Sequence, residues 1–258
     1  MPDGLPSVTT LTVATYNIHK GLSHFNRRMV LHELRERLRE LNADIVFLQE
    51  VQGENVEHAR RYNDYPEQSQ YEFLADEIWP HHAYGKNAVY DEGHHGNAIL
   101  SRFPIESWDN QNVSAHRFEN RSLLHCEIPI AGSSHPVHCI CVHFGLFANG
   151  RRMQVSALVK RISEMVPADA PLIVAGDFND WRNRATHSLE QELKLKEVFE
   201  SSTGQLARSY PVTLPLLRMD RIYIRGFDIQ HCEVLAEYPW NKISDHAALS
   251  ATLILSQP

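Results

Sequence analysis

The feature that most constrains this chain is the stretch Leu172-Ile173-Val174-Ala175-Gly176-Asp177-Phe178-Asn179. Its apolar, β-branched run reads as a buried strand, and it ends abruptly in a glycine, a carboxylate and an amide. Gly176 permits a tight exit, with no Cβ to block close approach. Asp177 and Asn179 lie two apart, so in extended backbone their side chains point the same way. They offer anionic and neutral oxygen, donors that suit a hard cation such as Mg²⁺. Taken alone, Asp-x-Asn is better explained as an Asx-turn closing a strand.

The chain repeats the device. Leu11 to Asn17 alternates as a strand and stops at an amide, and Asp44 to Glu50 is apolar until it ends in a carboxylate. Pro136 to His143 pairs back on Arg121–Ile128 and ends in a histidine. Arg218 to Ile224 carries Asp220 near its start, and Asp245-His246 precedes a closing strand through Leu253. Helical spacing of apolar residues predicts helices over about 28–41, 150–166 and 189–199, with a shorter one over 71–79. Tyr84–Val89, Asn97–Ser101 and an edge over 108–115 read as further strands, while 51–70 reads as a surface loop or short helix and Gly93–Gly96 as loop. A helix followed by an apolar strand with an acidic end occurs twice, at Glu50 and at Asp177. This plan predicts a layered α/β sandwich. Residues 1–10 are expected to be flexible and 11–258 to form one domain.

Composition bounds the partners. Lys and Arg total 25 against 32 Asp and Glu, a net charge of −7, which argues against bulk nucleic-acid binding through many phosphate contacts. No apolar run is long enough to span a bilayer, and MPDGLPSVTT has no signal-peptide pattern, so a cytoplasmic location is expected. Cys126, Cys139, Cys141 and Cys232 read as thiols, with Cys139 and Cys141 sharing one face of a strand. The 16 histidines raise a transition-metal binder as a reading. The adjacent pairs His81-His82 and His94-His95 face apart in extended chain, which weakens it.

Asn17, Glu50, His143, Asp177 with Asn179, Asp220, and Asp245 with His246 all punctuate strand ends, where loops converge on ligands without disturbing a core. The order Tyr16-Asn17, Leu48-Gln49-Glu50-Val51, Gly96-Asn97-Ala98-Ile99-Leu100-Ser101-Arg102, Val142-His143, Gly176-Asp177-Phe178-Asn179, Arg218-Met219-Asp220-Arg221-Ile222 and Ser244-Asp245-His246 resembles the endonuclease/exonuclease/phosphatase superfamily. With Asn17-Ile18-His19-Lys20-Gly21 and Gly176–Arg182, the chain looks most like its small bacterial, YbhP-type members.

That resemblance implies a four-layered α/β sandwich of the DNase I-like kind, with two mixed β-sheets flanked by helices, and Mg²⁺-dependent phosphoester hydrolysis with Mn²⁺ as a substitute. It implies Glu50 as main metal ligand, assisted by Asn17 and Asp245. Asp177 and Asn179 would orient and deprotonate the attacking water or contact the phosphate. His246, with Asp220 fixing its tautomer, and His143 match phosphate-contacting positions. The base is either Asp177 or the His246–Asp220 pair. Arg121 falls where relatives carry a phosphate-contacting arginine, and an ordinary surface arginine is the competing reading. His19, Lys20, His94, His95, Phe147, Trp181, Arg182 and Trp240 are specificity candidates. The expected partner is a small phosphate ester or a phospholipid-type diester. A nuclease is the alternative, and a binding module without catalysis is the alternative of another class.

Overall fold

The computed structural model describes residues 9–23, 28–55, 60, 62, 65–90, 93–117 and 119–256. Twelve strands are assigned: β1 Thr10–Asn17, β2 Ile45–Asn55, β3 His81–Tyr90, β4 Gly93–Ser101, β5 Ser107–Asn112, β6 Ser122–Ile128, β7 Val137–His143, β8 Leu172–Asp177, β9 Lys196–Glu197, β10 Asp220–Arg225, β11 Phe227–Leu235 and β12 Ala248–Leu255. They form two six-stranded sheets, ordered β11-β12-β1-β2-β4-β3 and β5-β6-β7-β8-β10-β9. Both sheets are mixed. β1 is parallel to β2 and β7 to β8, while the other pairings are antiparallel. Helix α1 (Leu31–Leu41) sits between the first parallel pair in sequence, and the longer α3 (Ala148–Met165) between the second. Shorter helices include α2 (Gln70–Ala75), α4 (Ala185–Leu193) and α5 (Val198–Thr203).

Strand parity explains the layers. Leu11 and Val13 of β1, Ile173 and Ala175 of β8, Cys139 and Cys141 of β7, and Leu249 and Ala251 of β12 share the core between the sheets. The alternate positions face outward and are covered by helices. Leu31, Leu34 and Leu38 of α1 pack on Ala14, Tyr16, Val46 and Leu48. Val155, Leu158 and Ile162 of α3 pack on Ile140, Val142 and Val174. The result is the expected four-layered sandwich.

Several boundaries differ from the sequence reading. β2 runs on through Asn55 rather than ending in loop at Val51, because bulges between Leu48 and Val51 and between Gln52 and Glu54 let polar residues stay paired with β4. Gly93–Gly96 belongs to β4, again paired with β2 and β3. The helix expected over 189–199 is broken, since Lys194 takes φ +57° and caps α4. Glu197 then accepts the Glu200 N–H at 2.7 Å and starts α5. The loose start expected over residues 1–10 falls mostly outside the described residues, and Thr10 already opens β1.

The four cysteines carry no disulfide; Cys126, Cys139 and Cys141 are buried and Cys232 is half-buried. Burial pushes the Cys141 thiol up to about 12. In native protein, Cys232 is expected to react with a thiol reagent well before the other three, and unfolding should release all four. Rapid labelling of all four without denaturant would contradict this packing.

Gly176 takes φ +148°, and a Cβ there would lie 2.0 Å from the Val142 carbonyl oxygen of neighbouring β7. Gly176→Ala is therefore expected to cost roughly 1–3 kcal/mol in urea unfolding. An unchanged midpoint would show that the strand exit tolerates a side chain.

Candidate active site

The same parity that builds the inter-sheet core places the polar residues. Asn17, Asp177 and His143 continue the inward-facing positions of β1, β8 and β7 at their C-terminal ends. His143 and Asp220 are both register partners of Asp177. Three chemically active side chains therefore stand at one level of one sheet. β12 runs antiparallel to β1, so Asp245 and His246, just before it, reach the same end from the other sheet. Left-handed backbone at His19, Lys20, Glu50 and Asn179, with φ between +47° and +59°, turns the chain at these ends. Such conformations are uncommon outside glycine and collect where tertiary structure enforces them.

Asp177 is the hub. Its Oδ1 accepts the Asn179 N–H at 2.9 Å, and its Oδ2 accepts from Asn17 Nδ2 and Asn179 Nδ2, both at 3.3 Å. His143 Nε2 and His246 Nε2 lie 3.6 and 3.9 Å from that same Oδ2. On the far side of its ring, His246 Nδ1 meets Asp220 Oδ2 at 2.8 Å. Backbone anchors hold these groups: Asn179 Nδ2 donates to Phe144 O at 2.9 Å, and the Asp220 N–H to Ser209 Oγ at 3.2 Å. Ser244 Oγ donates to Asn17 O at 2.7 Å and ties the segment before β12 to the end of neighbouring β1.

Electrostatics separates two candidate proton carriers. Burial pushes the Asp177 carboxyl up to about 7, with Asp220 adding to the rise while His246 and the Asn179 and Asn17 hydrogen bonds oppose it. Burial pulls His246 down, but the charge and hydrogen bond of Asp220 outweigh it and raise the imidazole to about 10. At neutral pH His246 is therefore a cation and Asp177 titrates. His143 is held well below the usual histidine range by burial, then by Arg121, His246, His95 and Lys20. Burial, Lys20 and Arg121 likewise lower His95, to about 4, against an opposing pull from Glu50. Both are neutral donors or acceptors in a cationic surround.

The donor chemistry fits a hard cation. Glu50, Asp177, Asp220 and Asp245 gather at one end of the sandwich, and Asp220 Oδ1 is buried without a hydrogen bond. Ligand atoms of Asp177, Asp220 and His246 lie within 4.8 Å of one another. His246 Nδ1 is committed to Asp220 in that group, so the trio reads as a proton relay rather than a metal cage. Glu50 and Asp245 are half-buried carboxylates at the same end, outside that trio. Asp245 Oδ1 is 3.4 Å from His19 Nδ1, which brings His19 to the same side. Asn17, expected among the ligands, turns its Oδ1 to the His19 N–H at 3.1 Å and its Nδ2 to Glu50 at 3.4 Å. In this orientation its amide nitrogen steadies Glu50 and Asp177, while its oxygen keeps a second lone pair.

Arg121 precedes β6 and donates to Asn120 O at 3.0 Å, near enough to depress His143. Trp181 and Arg182 follow Asn179 in an exposed loop and form the rim, without a hydrogen bond to Asp177. Trp181 covers the Arg151 guanidinium at 4.9 Å. Arg151 is buried, donates to Gly145 O at 3.1 Å, and braces the two rim loops from beneath. Sequence reasoning missed Tyr210, whose ring lies 4.9 Å from that of His246, and the orienting Ser209 and Ser244. Their neighbours carry no periodic or metal-ligand pattern, and only the closeness of Ser244 to Asp245-His246 was a signal.

Comparison with known proteins agrees with this architecture. The model of the endonuclease/exonuclease/phosphatase family matches residues 14–246. The uncharacterized protein YbhP of Escherichia coli K12 is 46% identical over 257 residues, covering 99% of this chain and all of that protein. The endonuclease/exonuclease/phosphatase structure from Beutenbergia cavernae superposes with a TM-score of 0.77 at 19% identity, covering 96% of this chain and 72% of that one. TDP2 of D. rerio, solved with a single-strand DNA product, superposes with a TM-score of 0.70 at 18% identity, covering 95% and 99%.

Proposed function

Since the chain belongs to the endonuclease/exonuclease/phosphatase family, we propose that it is a metal-dependent hydrolase of phosphate esters in which water attacks phosphorus. The observation that carries this reading is the shared Asp177 Oδ2, which faces both His143 Nε2 and a cationic His246 backed by Asp220. Asp177, with its carboxyl near 7, takes the proton from the attacking water. Asn179 fixes the direction of that carboxylate through two hydrogen bonds. The His246 imidazolium donates from Nε2 to a phosphate oxygen as charge builds there, and Asp220 holds it charged and oriented. His143 supplies a neutral imidazole beside the same oxygen.

Glu50 and Asp245, with His19 beside them, would hold Mg²⁺, with Mn²⁺ as a substitute. When bound, the ion offsets phosphate charge and polarises the P–O bond. Removing free metal with EDTA is expected to stop hydrolysis and adding Mg²⁺ back to restore it. EDTA-resistant turnover would overturn the metal requirement.

The substrate is a small phosphate ester or a phospholipid-type diester, with nucleic acid as the alternative. A net charge of −7 disfavours long duplexes, and the buried Arg151 is already engaged with backbone carbonyls. Duplex DNA is expected to bind weakly and with a shallow salt dependence in anisotropy titrations. A slope signalling roughly six or more phosphate contacts would favour a nuclease. A hydrolysis panel of single- and double-stranded DNA, RNA, phospholipids and inositol phosphates assigns the class.

A further inference from the structure

Most soluble surfaces scatter their exposed hydrophobic side chains singly. Here they collect around the active site. Leu146 and Phe147 lie in the loop after His143, at 58% and 72% exposure, and Trp181 lies in the loop after Asn179. Leu214, Leu216 and Leu217 lie in the loop leading to Asp220, and Tyr238, 80% exposed, lies in the loop leading to Asp245 and His246. The strand directions put all four loops at the same edge of the sandwich, because His143 and Asp177 end their strands whereas Asp220 begins its own and His246 lies just before β12. Among the described residues, only Trp108, Met153 and Met165 are other large hydrophobics with comparable exposure.

Charge singles out the same edge. Arg182, Arg184, Arg208 and Lys242 are exposed in these loops, with Arg152 beside them on α3, whereas Glu237 is their one exposed acid. A chain of net charge −7 thus presents a basic, apolar face where its active site opens. Nothing in catalysis on a freely soluble ester calls for exposed leucines. Single-stranded nucleic acid would use aromatic platforms for base stacking, and the loop before Asp220 offers leucines, which have no ring to stack. Leucines, a tryptophan and a tyrosine interleaved with arginines are instead the composition that settles into the headgroup region of an anionic bilayer.

We propose that this rim is an interfacial docking surface for anionic phospholipid membranes, with the active site opening onto the headgroups. The inference deepens the hydrolase reading and rests on it for the chemistry, but docking is separately measurable. Metal-free protein in EDTA is mixed with vesicles of phosphatidylglycerol and phosphatidylcholine, or of phosphatidylcholine alone, and sedimented. Wild type is expected to partition onto the anionic vesicles. The Leu146→Ser/Leu214→Ser/Leu216→Ser protein is expected to bind them about ten-fold or more weakly while hydrolysing soluble bis-p-nitrophenyl phosphate at the wild-type rate. Absence of wild-type binding, or equal binding by the variant, overturns the proposal. So does binding of a single-stranded oligonucleotide that is tighter than vesicle binding and is lost in the same variant. Vesicle binding with no hydrolysis of the soluble diester would leave docking standing and remove the hydrolase reading, and the converse would remove docking alone.

Discussion

The Asp177→Asn protein is expected to hydrolyse phosphate diesters about 10²–10⁴-fold more slowly than wild type, and to gain stability relative to wild type as pH rises through neutrality. Both effects have one cause. The Asp177 carboxyl titrates at about 7 in the folded chain because it is buried, against an ordinary value of 3.8. Folding raises its pKa, so the native state holds the proton more tightly. The associated stability is complete below the unfolded value and is lost as pH rises through about 7. Wild type then keeps a carboxylate charge in a dry site. Asparagine carries no charge. Its amide NH₂ must face a donor that the carboxylate accepts from, but that cost does not vary with pH, so the prediction concerns the pH dependence of the stability difference. Urea unfolding of metal-free protein should therefore show the variant's advantage growing between about pH 4 and about pH 8. An advantage independent of pH would mean that Asp177 is not strained by its charge, and a variant of wild-type activity would end its assignment as base.

Glu50→Gln is the second large effect. Glu50 sits at the β2 bulge between Leu48 and Val51 with φ +57° and is steadied by Asn17 at 3.4 Å, so the amide should fit the same backbone. A neutral amide cannot offset a divalent charge, and a bound metal supplies several kcal/mol of transition-state stabilisation. The expected result is an unchanged fold, Mg²⁺ binding too weak to detect by calorimetry, and a loss in rate of about 10³-fold or more. Wild-type Mg²⁺ affinity in this variant would exclude Glu50 as a ligand.

How much of this was legible in the sequence follows from what each signal depends on. The central strands were readable because burial on both faces leaves uninterrupted apolar runs, as in Leu172–Ala175, and their ends were marked by abrupt polarity. The candidate site followed from those ends: strand parity puts Asp177, His143 and Asp220 on one face, and the register of β7, β8 and β10 brings them to one level. The outlying strands were harder. Polar Gln52 and His95 pair across β2 and β4 at bulges, so their period is disturbed and their composition resembles loop. The false continuous helix over 189–199 shows the same limit: Lys194 is a good helix former that tertiary context sets at φ +57°. The direction in which Asn17 presents its amide, and the division of roles between Asp177 and His246, depend on partners from other strands that only the fold brings together. Spacing carried no information on either.

The most direct test of the central claim is the release of p-nitrophenol from bis-p-nitrophenyl phosphate, followed side by side for wild type in Mg²⁺, wild type in EDTA, and Asp177→Asn in Mg²⁺. The arrangement of Asp177, His143, His246 and the carboxylates around them predicts steady turnover in the first case and background in the other two. No turnover by wild type with either Mg²⁺ or Mn²⁺, or equal turnover by the Asp177→Asn protein, would contradict it.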